Sequence, residues 1–186
     1  MAVHRNSEKS NKPDKVERSR LARTRSILAY ARAHGYSTHY SFLIDMQLPA
    51  NRNRFFVCDL STGAVIDKGL VAHGSCHADF AERPQFSNVD GSGCSSEGRY
   101  KIGTSYQGRY GKAYRLHGLD ATNSHALARA VVLHSYPCVP DTETDGFVCN
   151  SLGCPMVSPL FLTRLAAFID SAKKPVLLWI YTGGPG

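Results

Sequence analysis

The sequence predicts a β-rich α+β domain with a basic helical arm at its N-terminus. Three observations lead there. Strong helical periodicity is confined to two stretches, Lys15 to about His34 and Pro159 to about Ala172. From Tyr40 onward, apolar residues gather in short β-branched and aromatic runs separated by turn residues. Residues 84–112 are rich in Gly, Ser and Tyr, which is a loop and short-strand composition. With 186 residues and 42% hydrophobic content, the chain can build one core plus an appendage. No run approaches the roughly 20 apolar residues of a membrane-spanning helix.

The elements follow in order. Residues 1–14 are polar, the composition of a disordered lead. "KVERSRLARTRSILAYARAHG" reads as a helix with Leu21, Leu28 and Ala31 on one stripe and Gly35 as its stop. "YSFLIDM" and "RFFVCDLSTGAVIDKG" read as strands, and "DLSTG" marks a hairpin between Val57 and Val65. Asn123 is an N-cap residue that can open a short helix, followed by a β-branched strand, Val131 to Leu133, with His134 at its end. Ser158 and Pro159 open the second helix, whose stripe is Leu162, Leu165, Ala166 and Ile169. "KPVLLWIYTGG" closes the chain as a buried strand. The domain division expected is an arm over 1–35 and a globular domain over 36–186.

Charge narrows the class of partner. Residues 1–34 hold nine Lys/Arg against three Asp/Glu, whereas the rest hold thirteen against twelve. The basic character belongs to the arm, which reads as a solvated helix face or a contact to an anionic surface. A nucleic-acid partner is not expected, because that needs a basic patch with aromatic platforms on the domain itself. Nothing calls for an oligomer, so a monomer is expected.

The six cysteines form no CxxC, and no Cys/His spacing matches a common zinc pattern. His73 and His77 in "HGSCH" lie four apart, but the intervening Gly-Ser disfavours a helix, so no metal site is expected. "VVLHSYPCV" and "CNSLGCPMVS" carry the candidate chemistry. Cys154 follows Gly153, which permits close backbone approach to a substrate. The N–H groups of Gly153 and Cys154 are candidate oxyanion donors. An imidazole beside the thiol would hold it as thiolate. Cys138 and Cys149 are read either as a disulfide stapling the insert before the nucleophile or as two free thiols. The start of the chain has no apolar h-region, so the protein reads as cytosolic or as one whose leader has been removed.

The ordered pieces "NRFFVCDLSTG", "VAHG", "SSEGRYKIGTSYQGRYGK", "VVLHS", "SLGCP" and "VLLWIY" resemble the murein L,D-transpeptidase catalytic domain family, a divergent branch of the YkuD-type enzymes. The resemblance covers about residues 36–182. It implies a β-sandwich or barrel-like catalytic domain with a few helices. It implies that Cys154 is the acyl-accepting nucleophile and His134 the base, with the Ser135 carbonyl orienting the imidazole and Ser151 shaping the loop with Gly153. His117 is the rival histidine, but it lies 37 residues before the cysteine against 20 for His134. His73, His117, Tyr106 and Arg115 are weaker candidates for the substrate cleft. Ordinary members carry an Arg two positions after the cysteine, where this chain has Met156, so a substrate carboxylate must be met elsewhere, with Arg99, Arg109 and Arg115 as candidates. The implied reaction is crosslinking of peptidoglycan stem peptides through a thioester, with no cofactor. The alternatives are an L,D-carboxypeptidase or endopeptidase on the same site, or a non-catalytic wall-binding module. The resemblance further implies export to the periplasm or cell envelope.

Overall fold

The computed structural model describes residues 14–183. Helix α1 (Lys15–His34) is followed by strands β1 (Tyr40–Asp45), β2 (Phe55–Asp59), β3 (Val65–Gly69), β4 (Gly98–Gly108) and β5 (Gly111–Gly118). A short 3-10 turn at Ala121–Asn123 leads to β6 (Val132–Ser135) and β7 (Met156–Val157). Helix α2 (Pro159–Asp170) and β8 (Leu177–Tyr181) complete the order. The strands make one eight-stranded sheet in the order β3-β2-β1-β8-β4-β5-β6-β7. Pairs β1–β8 and β6–β7 are parallel and the others antiparallel.

The two-residue period of a strand sorts the side chains. Phe42 and Ile44 of β1 enter the main core with Phe55, Val57, Leu116 and Leu133. Leu43, between them, faces the second core with Phe56, Cys58 and Leu177. Helix α2 fills the main core. Its Phe161 meets Phe55 of β2 edge-on at 5.2 Å. Its Arg164 pairs with Asp67 of β3, while its Asp170 accepts from Tyr114 of β5 at 2.9 Å. A 12-residue helix is only about 18 Å long, yet it touches strands four to five places apart. The sheet must therefore curl around α2.

Helix α1 lies against the second core through Ile27 and Ala31, which are fully buried. The buried stripe runs through Arg23, Thr24, Ile27 and Ala31, with Leu21 and Leu28 only half-buried at its edge. The stripe read from the sequence is thus rotated toward Ile27. Asp14 caps the helix by accepting from Glu17 N–H at 2.8 Å, and Gly35 ends it in the left-handed region.

The segment 84–112 differs most from the sequence reading. It holds the 11-residue β4, the longest strand of the sheet. Its glycines weaken strand propensity, but β4 is central, gripped by β8 and β5. Asn123 is not a helix N-cap; Asp120 takes that place, and its carboxylate is held by Arg99. Residues after the 3-10 turn form turns rather than a helix.

Ser158 accepts the Phe161 N–H at 3.1 Å at the buried start of α2. Ser158→Ala should lower stability by about 2 kcal/mol, at the upper end for a cap because the freed N–H stays buried. Denaturant unfolding with an unchanged m-value will measure it.

Candidate active site

A cleft of about 820 Å³ opens at the β6–β7 edge of the sheet. Cys154, His134, Ser151 and Met156 line it, together with Tyr106, Arg109, Tyr110 and Tyr136. Strand β6 sets the histidine. His134 pairs with Met156 of β7, two residues beyond the cysteine, and Val132 donates its N–H to Cys154 Sγ at 3.4 Å. Val132 and His134 share one face of β6. Cys154, in the bend that leads into β7, and His134, on β6, thus open into the same cleft.

His134 Nδ1 lies 3.2 Å from the Ser135 carbonyl. A carbonyl oxygen only accepts, so Nδ1 carries the proton and Nε2 keeps its lone pair. The ring stacks on Tyr110, with centroids 5.9 Å apart. Burial lowers the His134 pKa, and the bond to Ser135 only partly opposes this. The imidazole is neutral at pH 7.

Cys154 is partly exposed. Its Sγ points to the Ala130 carbonyl at 3.9 Å, so the thiol is the donor there. Burial raises its pKa, while the Val132 N–H and the Arg129 charge pull it down. The sequence reading of a thiolate held by imidazole is thus corrected. Without substrate, the site holds a neutral thiol, and its hydrogen-bond partners are Val132 and Ala130. Burial penalises the charged form more than the surrounding dipoles favour it.

The nucleophile loop is closed by Ser151. Its hydroxyl donates to the Cys154 carbonyl at 2.6 Å and accepts the Gly153 N–H at 3.2 Å. The Gly153 N–H, read from the sequence as an oxyanion donor, is therefore already engaged. Gly153 has φ +118°, and a Cβ there would lie 2.7 Å from the Cys94 carbonyl. Ser95 Oγ donates to the Gly153 carbonyl at 3.1 Å and accepts from the Gly74 N–H at 3.0 Å. The extended 72–75 segment clamps the loop from the other side: Ser151 N donates to the His73 carbonyl, and Ser75 N to the Ser151 carbonyl, both at 2.9 Å.

The remaining sequence candidates separate. Tyr106 and Arg109 line the cleft. His73 does not. It is fully buried, with Nδ1 accepting from Arg54 at 2.9 Å. Burial, then the Arg54 charge, lower its pKa to about 4, so it stays neutral. His117 and Arg115 line a different depression, on the far side of Tyr106. Arg99 is paired with Asp120 and stacked on Tyr30. Cys76–Cys94 and Cys138–Cys149 are disulfides, and Cys58 and Cys154 are free thiols.

One residue escaped the sequence reading. Arg129 donates to the carbonyls of Ser87 and Cys94, each at 2.7 Å, and to the hydroxyls of Ser92 and Ser96. Its side chain lies behind Gly153. All four partners are neutral, so its charge is left to act on the Cys154 thiol. "HALARAVV" gives no local signal for this role, because the acceptors come from residues 87–96.

A fold of this kind, with a histidine on β6 and a cysteine in the loop before β7 lining one cleft, defines a thiol–imidazole domain. The chain matches the L,D-transpeptidase catalytic domain family over residues 12–181 and belongs to it. Among curated proteins, none matches. Solved structures of similar fold include a point mutant of the helical cell shape determining protein Pgp2 from Campylobacter jejuni. It shares 13% identity over 90% of this chain and 57% of its own, with a TM-score of 0.50. An L,D-transpeptidase from Xylanimonas cellulosilytica shares 14% over 82% and 68% of the two chains, TM-score 0.46. One from Mycobacterium smegmatis shares 16% over 77% and 58%, TM-score 0.45. This chain thus spans little more than half the length of the Pgp2 chain.

Two outcomes test the site. A Cβ at Gly74 would meet the Gly93 carbonyl at 2.3 Å and Gly153 Cα at 2.8 Å. Gly74→Ala should cost about 1–3 kcal/mol of stability and displace the nucleophile loop, seen as changed Cys154 alkylation in protein that remains folded. Arg129→Met should shift the pH profile of Cys154 alkylation upward, slowing it roughly three- to tenfold at pH 7, whereas Arg129→Lys should keep most of the rate.

Proposed function

We propose that this domain is a peptidoglycan L,D-transpeptidase in which Cys154 is the nucleophile and His134 the general base and acid. The family acts on peptidoglycan peptides. The observation that carries the reading is the shared cleft, in which Ser135 fixes the His134 tautomer and leaves Nε2 as an acceptor in the cavity that the Cys154 thiol also lines.

The resting protonation states dictate the order of events. Nε2 takes the thiol proton as sulfur attacks the scissile carbonyl carbon, so charge appears only as the bond forms. The C–S bond forms and the carbonyl π pair moves to oxygen. The Cys154 N–H, without an intramolecular partner among the described residues, is free to receive that oxyanion. On collapse the C–N bond breaks, and the imidazolium protonates the leaving amine. An acceptor amine then attacks the thioester, losing its proton to the same imidazole; the C–S bond breaks, and the imidazolium returns the proton to the Cys154 thiolate. Bond energy is retained in the thioester, so no nucleotide is consumed. With water as acceptor, the same steps give a carboxypeptidase or endopeptidase.

The two disulfides support export to an oxidising envelope compartment, because such bridges do not persist in a reducing cytosol. No helix among the described residues is long and apolar enough to cross a membrane.

Incubation with purified disaccharide-tetrapeptide, read by mass spectrometry, tests the proposal. Crosslinked dimers are expected with the intact protein and none with Cys154→Ala. Trimmed monomers alone would make it a hydrolase, and binding to sacculi without turnover would make it a wall-binding module. Thioester formation should fall away only as pH drops below the ordinary histidine range, because burial lowers the His134 pKa. That acid limb should vanish in His134→Gln.

A further inference from the structure

A second depression, of about 1130 Å³, lies on the face of β4 and β5 beside the end of α2. Lys101, Arg115, Lys173 and Lys174 converge on it, with the hydroxyls of Thr104 and Ser105 among them. Among the described residues, the side-chain ammonium groups of Lys101, Lys173 and Lys174 have neither a hydrogen bond nor an ion pair. The one acid in the lining, Asp170, is already committed to Lys112 and to the Tyr114 hydroxyl. The depression therefore carries four cations without a counter-charge. His117, opposite Lys101 in the β4–β5 register, feels them: after burial, the charges of Lys101 and Arg115 lower its pKa. Like charges gathered without anions cost energy unless a ligand neutralises them.

The depression is joined to the cleft. Arg115 lies over the Tyr106 ring at 4.5 Å. Tyr106 lines the cleft and Arg115 the depression, so this stacked pair forms the ridge between them.

We propose that this depression is a second binding surface, which holds the carboxylates of a peptidoglycan strand running on from the cleft over the Tyr106–Arg115 ridge. The proposal rests on the function given above. Stem peptides carry free carboxylates, and four cations flanked by hydroxyl donors are complementary to them. Surface attraction of this kind raises the local concentration of a polymeric substrate and leaves the bond-breaking step unchanged.

The test uses the full chain with Lys173→Glu and Lys174→Glu combined, both fully on the surface and remote from Cys154. Co-sedimentation with intact sacculi should weaken by about tenfold, and wild-type binding should weaken in high salt. Turnover of soluble disaccharide-tetrapeptide should stay within about twofold of wild type, since a short substrate does not cross the ridge. Polyglutamate should displace the protein from sacculi. Displacement by polyphosphate but not by polyglutamate would overturn the carboxylate assignment in favour of a phosphate polymer. Unchanged sacculus binding in the double variant would overturn the proposal. Charge-dependent sacculus binding with no turnover of any peptide would uphold this surface and overturn the catalytic reading alone.

Discussion

A fully buried guanidinium, that of Arg54, holds together the parts on which the site depends. It donates to the Val71 carbonyl through Nε and Nη2, to the Leu48 carbonyl through Nη1, and to His73 Nδ1. Burial lowers its pKa to about 10, with the charge of Asp45 opposing, so it remains a cation at neutral pH. Arginine only donates, so His73 must accept at Nδ1 and carry its proton at Nε2, toward the backbone of Ala81 and Arg83. The same His73 presents its carbonyl to Ser151. One cation thus fixes the 71–75 segment, and that segment fixes the Cys154 loop and the neighbouring wall. Loss of Arg54 would leave buried acceptors unmet, and loss of His73 would take one partner from a buried cation, each a change of about 1–3 kcal/mol.

The cleft is tuned toward neutrality. Burial acts on both members of the pair in the direction that removes charge, up for the thiol and down for the imidazole. A preformed thiolate–imidazolium pair is therefore disfavoured until a substrate gives the developing charges somewhere to go. Arg129 is the countervailing influence, a cation held by neutral acceptors behind the glycine that precedes the nucleophile. In ordinary relatives an arginine follows the cysteine by two positions; here buried Met156 occupies that place, paired with His134 across β6 and β7 and lining the cleft. Positive charge therefore reaches Cys154 from Arg129, in the turns before β6.

What was legible in the sequence was local. The α2 start at Ser158–Pro159, the β2–β3 hairpin at "DLSTG" and the strand carrying His134 each follow from short-range rules, and the structure has them. The family resemblance was legible too, because it rests on the order of such pieces. What was not legible depends on distant contacts. Gly-rich β4 reads as loop, yet it is the longest strand because β8 and β5 hold it on both sides. His73 reads as a cleft residue, yet its partner is Arg54, 19 positions away and fully buried. Arg129 has no motif at all, since its four acceptors lie 33 to 42 residues upstream.

The cysteines show how the walls of the cleft can be irregular and still hold their shape. Segments 74–80 and 136–150 are mostly bends and turns, and they contribute few residues to the main core. Backbone of this kind gains little from sheet pairing and would leave its entropy cost largely unopposed. Each segment instead carries one end or both ends of a disulfide. Cys76–Cys94 ties the Ser75–Phe80 wall to the loop before β4, whose Cys94 carbonyl is gripped by Arg129. Cys138–Cys149 closes the insert between His134 and Cys154. Cys58 is buried under α1, packed with Leu43 and Phe56. Cys154 is then the one partly exposed thiol in the chain. Oxidation that forms both bridges leaves Cys154 without an accessible partner for a third within the chain, since Cys58 is buried under α1.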